Sequence, residues 1–211
     1  MDRKQVSKDH YDFGGYLSKS RWASIWYQIA EVNASNPDHV LEIGPGIGVF
    51  KLVQAALGVK VETVDLDPEL NPDHICSVTS MPFDDSTYDV VCAFQMLEHL
   101  PYNRSLSAFK EMVRVSRGNV VISLPDAKAM YRYRFDVPKL GEINILIPRP
   151  RIRLPVHNFD GEHYWEINKK GYLLEKVIGD FSRYIPLRKT FRVPDFPYHR
   201  FFCFQDESDE C

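Results

Sequence analysis

Length, charge and cysteine content restrict what this chain can be. Its 211 residues can bury one sizeable core, so we predict a single domain over residues 1–211. The 26 basic and 29 acidic residues leave a net charge of -3, which argues against a basic nucleic-acid-binding body. The four cysteines form no C-x-x-C pair, and no apolar run approaches the length of a membrane span. We therefore expect a soluble, cytoplasmic protein with reduced thiols, no membrane span and no bound metal.

Apolar residues at helical spacing predict two helices, one on each side of the first strand. The first helix falls within residues 1–37, and its apolar stripe consists of Trp22, Ile25, Trp26 and Ile29. The second helix follows the first strand, ends near a capping Gly58, and is expected to bury Val49, Leu52, Val53 and Ala56.

Residues 40–48, between these helices, carry the most informative motif of the chain. An apolar strand containing Glu42 runs into three closely spaced glycines, Gly44, Gly46 and Gly48. Glycine adopts dihedral angles closed to other residues and has no Cβ to obstruct a ligand lying against the main chain. The motif therefore predicts a nucleotide-binding turn between a strand and a helix.

Asp65 ends the next predicted strand, residues 59–65, and lies 21 residues after Gly44. An acid about 20 residues beyond the glycine turn reaches a ribose in doubly wound folds, where a carboxylate accepts hydrogen bonds from both hydroxyls. A nicotinamide dinucleotide site would use the same acid. Its glycines follow G-x-G-x-x-G, however, and Val49 stands where the last of these should fall, which disfavours that cofactor.

These motifs resemble those of the class I S-adenosylmethionine-dependent methyltransferases, in particular the small-molecule, methyltransferase type 11-like group. The resemblance continues through residues 80–91, 95–100 and 111–121, and covers about residues 38–125. It implies an α/β fold with a Rossmann-like doubly wound sheet, mostly parallel with an antiparallel closing strand. It also implies S-adenosyl-L-methionine as cofactor, S-adenosyl-L-homocysteine as product, and a leading helix that covers the cofactor.

The resemblance assigns the cofactor-binding residues one by one. Glu42 would position the amino-acid end of the cofactor, although it could instead cap the glycine turn. Leu66 would face adenine or pack in the core. Many relatives have an adenine-binding acid where this chain has Ser77, so the contact could pass to the backbone N–H of Val78. The predicted cofactor-binding set is Glu42, Gly44, Gly46, Gly48, Asp65, Leu66, Ser77, Val78 and Phe94.

Two histidine-containing segments are candidates for the acceptor site. The resemblance places the turn at residues 95–99 near the acceptor, and a hydroxyl acceptor needs a base such as His99. Some relatives hold a divalent metal with an acid-x-x-Glu-His cluster at this turn, but Gln95 is not an acid, so a metal is disfavoured. Residues 157–166 contain His163 and Asp160 as further candidate bases and Trp165 as a wall. Purely structural roles are the alternative for each of them.

The remaining elements are predicted from shorter patterns. Strands are expected at residues 75–77, 88–94 and 119–124, with a helix after a possible N-cap at Asn103 whose buried stripe is Leu106, Phe109 and Val113. Residues 168–178 are expected to be the last helix, and residues 184–193 and 198–204 an antiparallel pair. The acidic residues 205–211 are expected to fray.

Residues 126–165 are predicted to be an irregular insertion or lid over the acceptor, because 126–158 are rich in proline and arginine without steady periodicity. Arg149, Arg151 and Arg153 alternate along the chain, so an extended backbone would place them on one face. They could bind an anionic acceptor or form a solvated edge.

We therefore predict methyl transfer to an oxygen or nitrogen atom of a small or medium-sized acceptor. The alternatives are a non-catalytic cofactor-binding or partner-binding module, a nucleic acid methyltransferase, and a nicotinamide-linked oxidoreductase.

Overall fold

The structure, a computed structural model, describes residues 17–151 and 153–206. It consists of a seven-stranded sheet with helices on both faces and a separate two-stranded sheet. The strands of the large sheet are β1 His39–Ile43, β2 Lys60–Asp65, β3 His74–Ile75, β4 Val90–Phe94, β5 Asn119–Pro125, β8 Leu187–Val193 and β9 Phe196–Gln205. The small sheet pairs β6 Met130–Val137 with β7 Gly141–Pro148. The helices are α1 Lys19–Asn33, α2 Val49–Ala56, α3 Tyr102–Val115 and α4 Leu174–Phe181.

The large sheet has the strand order β3-β2-β1-β4-β5-β9-β8. Strands β1 to β5 pair in parallel, whereas β9 runs antiparallel to both β5 and β8. The predicted doubly wound, mostly parallel sheet with an antiparallel closing pair is confirmed. The order reverses between β1 and β4, and ligands of open α/β sheets bind at the carboxyl ends of the strands at such a switch point.

The central strands are apolar on both faces because helices cover each side. Leu41 and Ile43 point to the layer that contains α3 and α4, where Phe109 and Phe181 pack. Val40 points the other way, towards Val32 of α1 and Phe50 of α2. Glu42 lies on this second face by strand alternation, so its carboxyl group is buried beneath the layer formed by α1 and α2.

Several predicted details are wrong. In α2 the buried side chains are Phe50 and Gln54, while Leu52 is 70% exposed, because the face with Phe50 rather than the predicted stripe packs in the core. Gly58 does end this helix, one residue after the cap position, with a left-handed φ of 87°. Asn103 lies inside α3 rather than at its N-cap, which is Pro101, a residue whose fixed φ suits the start of a helix.

The prediction of an irregular insertion is also wrong for residues 130–148. They form the β6–β7 hairpin, whose eight-residue strands pair without interruption from Met130 opposite Pro148 to Val137 opposite Gly141. The alternation of Tyr131, Tyr133 and Phe135 with charged residues satisfies the strand pattern despite the surrounding prolines.

The end of the chain departs from expectation in two further places. The last helix is α4, which begins at Leu174, six residues later than predicted. Gln205 belongs to β9 and Asp206 donates its N–H to the carbonyl of Gly118, so the predicted frayed tail does not include them. Residues 207–211 lie outside the described part of the chain.

Cys76, Cys92 and Cys203 are free thiols, as predicted. Across the described residues, no helix has both the length and the apolar character needed to cross a membrane.

Candidate cofactor and acceptor site

The glycine turn has the backbone geometry that its sequence predicts. Gly44, Gly46 and Gly48 have φ angles of 69°, 54° and 73°, a region that other residues seldom adopt. The Gly44 N–H donates to the carbonyl of Val64 across the sheet, and the Gly48 N–H donates to Pro45 within the turn. Gly48 is the N-cap of α2, so the chain passes from β1 to the start of the helix over this turn.

Gly44 is more constrained than Gly48, where an added Cβ would meet open space. A Cβ at Gly44 would lie 2.6 Å from Cγ of Met96. We expect Gly44→Ala to lower the free energy of unfolding by about 1–3 kcal/mol, because a positive φ and a steric clash both oppose it. Chemical denaturation measures this, and Gly179→Ala, which meets open space in a helix, is the matched control expected to be neutral or stabilising. Equal stability of Gly44→Ala and the wild type would contradict the assigned turn geometry.

Glu42 is a buried acid that lines a pocket over the glycine turn. It is 4% exposed, and its Oε2 has no hydrogen-bond partner among the described residues. Burial raises the pKa of Glu42 to about 8, and the charge of Lys51 offsets this only in part. A buried carboxylate oxygen without a partner costs free energy unless a ligand satisfies it. Glu42 thus meets the requirement for a residue that binds a cationic amino-acid end.

Asp65 and its neighbours lie at the carboxyl end of β2, next to the glycine turn. One Asp65 carboxylate oxygen accepts the N–H of Asp67 at 2.8 Å, which fixes the side chain at the strand end. Leu66 is half exposed rather than part of the core. Ser77 bonds Thr79 through their hydroxyls, and Val78 is buried. These positions agree with ribose and adenine contacts but do not by themselves assign them.

The pocket over the glycine turn is closed by β4 and α1. Phe94, at the end of β4, packs against Phe50 with ring centroids 5.4 Å apart. Gln95 has a left-handed φ of 53°, and its side-chain amide nitrogen Nε2 donates a hydrogen bond to the hydroxyl of Ser123. The lining residues are Arg21, Ile25, Gln28, Glu42, Gly44, Pro45, Ile47, Val49, Phe50, Phe94 and Gln95. The sequence did not single out Arg21, although its position one helical turn before Ile25 was a usable signal.

The structure brings together the two segments predicted for the acceptor. The rings of His99 and His163, 64 residues apart in sequence, lie 5.0 Å apart in an edge-to-face arrangement. The backbone also joins the segments, because the Tyr164 N–H donates to the Glu98 carbonyl. His99 Nδ1 is 3.0 Å from the carbonyl oxygen of Glu162, which can only accept, so Nδ1 carries the proton and Nε2 is the basic nitrogen.

His163 belongs to a histidine–carboxylate pair. Its Nδ1 lies 3.4 Å from Oε1 of Glu166, and Lys169 binds the other Glu166 oxygen at 3.1 Å. Burial alone would lower the pKa of His163, but the hydrogen bond with Glu166 and the negative charges of Glu98, Asp160 and Glu166 outweigh it and raise the pKa. The i, i+3 spacing of His163 and Glu166 was visible in the sequence, but their contact was not.

Glu98 is the functional candidate that sequence reasoning underrated. Its side chain is fully buried, and neither carboxylate oxygen has a hydrogen-bond partner among the residues the structure describes. Burial raises its pKa to about 7, while the charges of His163 and Arg21 oppose the rise. Arg21 lines the pocket over the glycine turn, and its charge also lowers the pKa of Glu98.

Two predicted residues of the second segment have structural contacts. Asp160 accepts the N–H groups of Glu162 and His163 through Oδ1, and so holds the loop that presents His163. Trp165 is not a wall of the acceptor site: it is fully buried, and its indole N–H donates to the hydroxyl of Ser105 in α3. That prediction was wrong because the chain enters the core at this point, where Trp165, Glu166 and Ile167 are all buried.

Glu98, His99 and His163 place one donor atom each within 4.8 Å of one another. A carboxylate and two imidazoles can also coordinate a divalent ion. The absence of a metal stays a prediction, and metal analysis of the protein before and after treatment with EDTA tests it.

The comparisons with known proteins agree with this geometry. A family model for a methyltransferase domain matches residues 18–170. No curated protein matches the chain in sequence. The chain therefore belongs to the methyltransferase-domain family, and it is an enzyme of the class I S-adenosylmethionine-dependent methyltransferase type.

Solved structures show the same fold at low sequence identity. The PH0226 protein of Pyrococcus horikoshii is 13% identical with a TM-score of 0.63, over 96% of this chain and 100% of that one. The 1,6-didemethyltoxoflavin-N1-methyltransferase of Burkholderia thailandensis, solved with its acceptor and S-adenosylhomocysteine, is 14% identical with a TM-score of 0.56, over 98% and 93%. A Clostridium acetobutylicum S-adenosylmethionine-dependent methyltransferase is 8% identical with a TM-score of 0.57, over 90% and 92%.

Proposed function

We propose that this enzyme transfers the methyl group of S-adenosyl-L-methionine to an oxygen or nitrogen atom of a small or medium-sized acceptor, with His163 as the general base. The observation that carries the proposal is the meeting of His99 and His163 beside buried Glu98, a few residues along the chain from Gln95, which lines the pocket over the glycine turn. The Burkholderia neighbour, whose structure holds a small acceptor and S-adenosylhomocysteine, supports the substrate class.

The cofactor side of the proposal assigns a chemical role to each group. Glu42 binds the amino-acid end, Asp65 accepts the ribose hydroxyls, and the glycine turn lets the main chain approach the ligand. Leu66, Ser77 and Val78 border adenine, and Phe94 closes the pocket. The donor supplies a sulfonium methyl group that is already activated, so the protein mainly has to align the reactants, which supplies roughly 7–11 kcal/mol in favourable cases.

The acceptor side has to remove a proton from a hydroxyl or an ammonium group. His163 Nε2 is suited to this because Glu166 fixes Nδ1 as the donor nitrogen and stabilises the imidazolium that forms. His99 lies within reach of the same proton, and Asp160 acts as a positioning residue through its two backbone bonds. Arg149, Arg151 and Arg153 follow β7 and do not line the pocket over the glycine turn, so the proposal assigns no charge to the acceptor.

Asp65→Ala tests the cofactor assignment. We expect binding of S-adenosylhomocysteine to weaken by about 1–3 kcal/mol, because the ribose hydroxyls lose a charged acceptor. Isothermal titration calorimetry measures this, with Asp84→Ala as the control because Asp84 is an exposed acid away from the pocket. An unchanged dissociation constant in folded Asp65→Ala would remove Asp65 from the site.

The same calorimetry separates the rival functions. We expect S-adenosylmethionine and S-adenosylhomocysteine to bind and NAD not to bind, because of the glycine spacing. Tight NAD binding without a response to either sulfur nucleoside would reject the methyltransferase proposal. Cofactor binding without methyl transfer to any component of a metabolite extract or to nucleic acid would support the non-catalytic module instead.

A further inference from the structure

The β6–β7 hairpin has an unusual distribution of polar and apolar side chains. One of its faces carries six large apolar residues, which are 40–51% exposed: Tyr131, Tyr133, Phe135, Ile143, Ile145 and Ile147. They form three directly opposed cross-strand pairs. On the other face, Arg132 forms an ion pair with Asp195 of the β8–β9 turn, and Leu146 lines the same cavity as Phe191 of β8. The hairpin therefore turns its charged face to the body of the protein and its apolar face outwards.

Such a face is stable in water only when something covers it. An isolated two-stranded sheet is marginal, and contiguous apolar patches of several hundred Å² mark interaction surfaces. Side chains of this size, about half exposed, leave roughly 500 Å² of apolar surface on one copy. Two such faces packed together bury about 1,000 Å², the lower limit for a specific interface.

We propose that the apolar face of the hairpin packs against the same face of a second copy of this chain, related to it by a twofold axis. The face is self-complementary because it consists of three opposed apolar pairs with no charged side chain among them. At the open end, Arg149 stacks over the Tyr131 ring at 5.3 Å, and Arg151 and Arg153 follow it. At the closed end, Asp136 stands opposite Glu142.

Asp136 and Glu142 lie on the charged face of the hairpin by strand alternation, so the apolar pairs rather than these acids form the proposed interface. Glu142 is already paired with Arg134, whereas Asp136 has no ion pair within residues 17–151 and 153–206. Lys139 lies in the turn, beyond the last apolar pair. The proposal does not depend on the methyltransferase assignment.

A lipid surface is the competing occupant, and the structure favours the second copy. Both edges of a two-stranded sheet have unpaired backbone groups, which hydrocarbon cannot satisfy. A second copy covers the apolar face and leaves these edges in contact with water.

The first experiment measures mass by sedimentation equilibrium of the full chain over a concentration series. We expect a dimer, and we expect Tyr133→Ser with Ile145→Ser, the central opposed pair, to raise its dissociation constant at least about tenfold. The matched control is Leu52→Ser with Leu57→Ser, which removes two exposed apolar side chains from the α2 region and should leave the dimer intact. Calorimetry with S-adenosylhomocysteine verifies that each variant is folded.

Three results would overturn the proposal. The first is a monomer at all concentrations. The second is a dimer that the Tyr133 and Ile145 substitutions leave unchanged, since another surface would then form it. The third is a monomer that sediments with anionic phosphatidylglycerol vesicles but not with neutral phosphatidylcholine vesicles, which would assign the face to a lipid surface.

Discussion

Replacing Glu42 with Gln is expected to make the protein more stable above pH 8 and to weaken cofactor binding at the same time. The pKa of Glu42 is raised from its ordinary value of 4.5 to about 8 in the folded protein. The folded state therefore holds a proton that the unfolded chain releases, so this stabilisation is complete below pH 4.5 and is lost as pH rises through about 8. The amide that replaces the carboxyl group cannot ionise, so the variant should gain at least about 1 kcal/mol over the wild type by pH 9 and differ little at pH 5.

Calorimetry in two buffers of different ionisation enthalpy tests the binding half of this prediction. At pH 7 the wild type should release up to about one proton when S-adenosylhomocysteine binds, because the ammonium group of the ligand favours ionised Glu42. Glu42→Gln should release none from this position and should bind about 2–4 kcal/mol more weakly. A variant that binds as tightly as the wild type with the same proton release would show that Glu42 only caps the glycine turn.

Replacing His163 with Ala is expected to lower turnover by about 10²- to 10⁴-fold without changing cofactor affinity, because a general base contributes a factor of this size. The active form of the base is deprotonated, and the pKa of His163 is raised above 6.5. The wild-type rate should therefore increase as pH rises through a value above 6.5, and the variant should lose this dependence. Deuteromethyl transfer from labelled S-adenosylmethionine to components of a metabolite extract, followed by mass spectrometry, measures the rate.

Two comparisons make the His163 experiment specific. His74→Ala is the matched control, because His74 binds Glu62 at β3, on the far edge of the sheet. Added imidazole should partly restore the His163→Ala rate if the missing group is a base. Loss of wild-type activity in EDTA and its recovery with Mn²⁺ would instead assign His163, His99 and Glu98 to a metal. Full activity of His163→Ala would remove it from the mechanism.

The parts of the site that follow one another along the chain could be predicted from the sequence. The turn at Gly44 to Gly48 needs positive φ angles, which only glycine adopts without strain, and Asp65 ends the adjacent strand at a fixed interval. The order of the first five strands follows from the same pattern, because parallel strands with helical connections have few possible arrangements. The hairpin at residues 130–148 was missed although its alternation was present, since prolines and arginines suggested an irregular segment.

The class of fold, the glycine turn and the acid at the end of β2 are predictable without the structure, because each depends on the conformation of a few neighbouring residues. Packing, in contrast, buries Glu98 without a hydrogen-bond partner among the described residues and brings His99 to His163. Packing also places Arg21 at the pocket over the glycine turn, where its charge lowers the pKa of Glu98. Burial and long-range contact depend on how separate elements pack, and the pKa of a carboxyl or an imidazole depends in turn on that burial. The chemistry of the candidate acceptor site is therefore a property of the packed molecule rather than of any one segment.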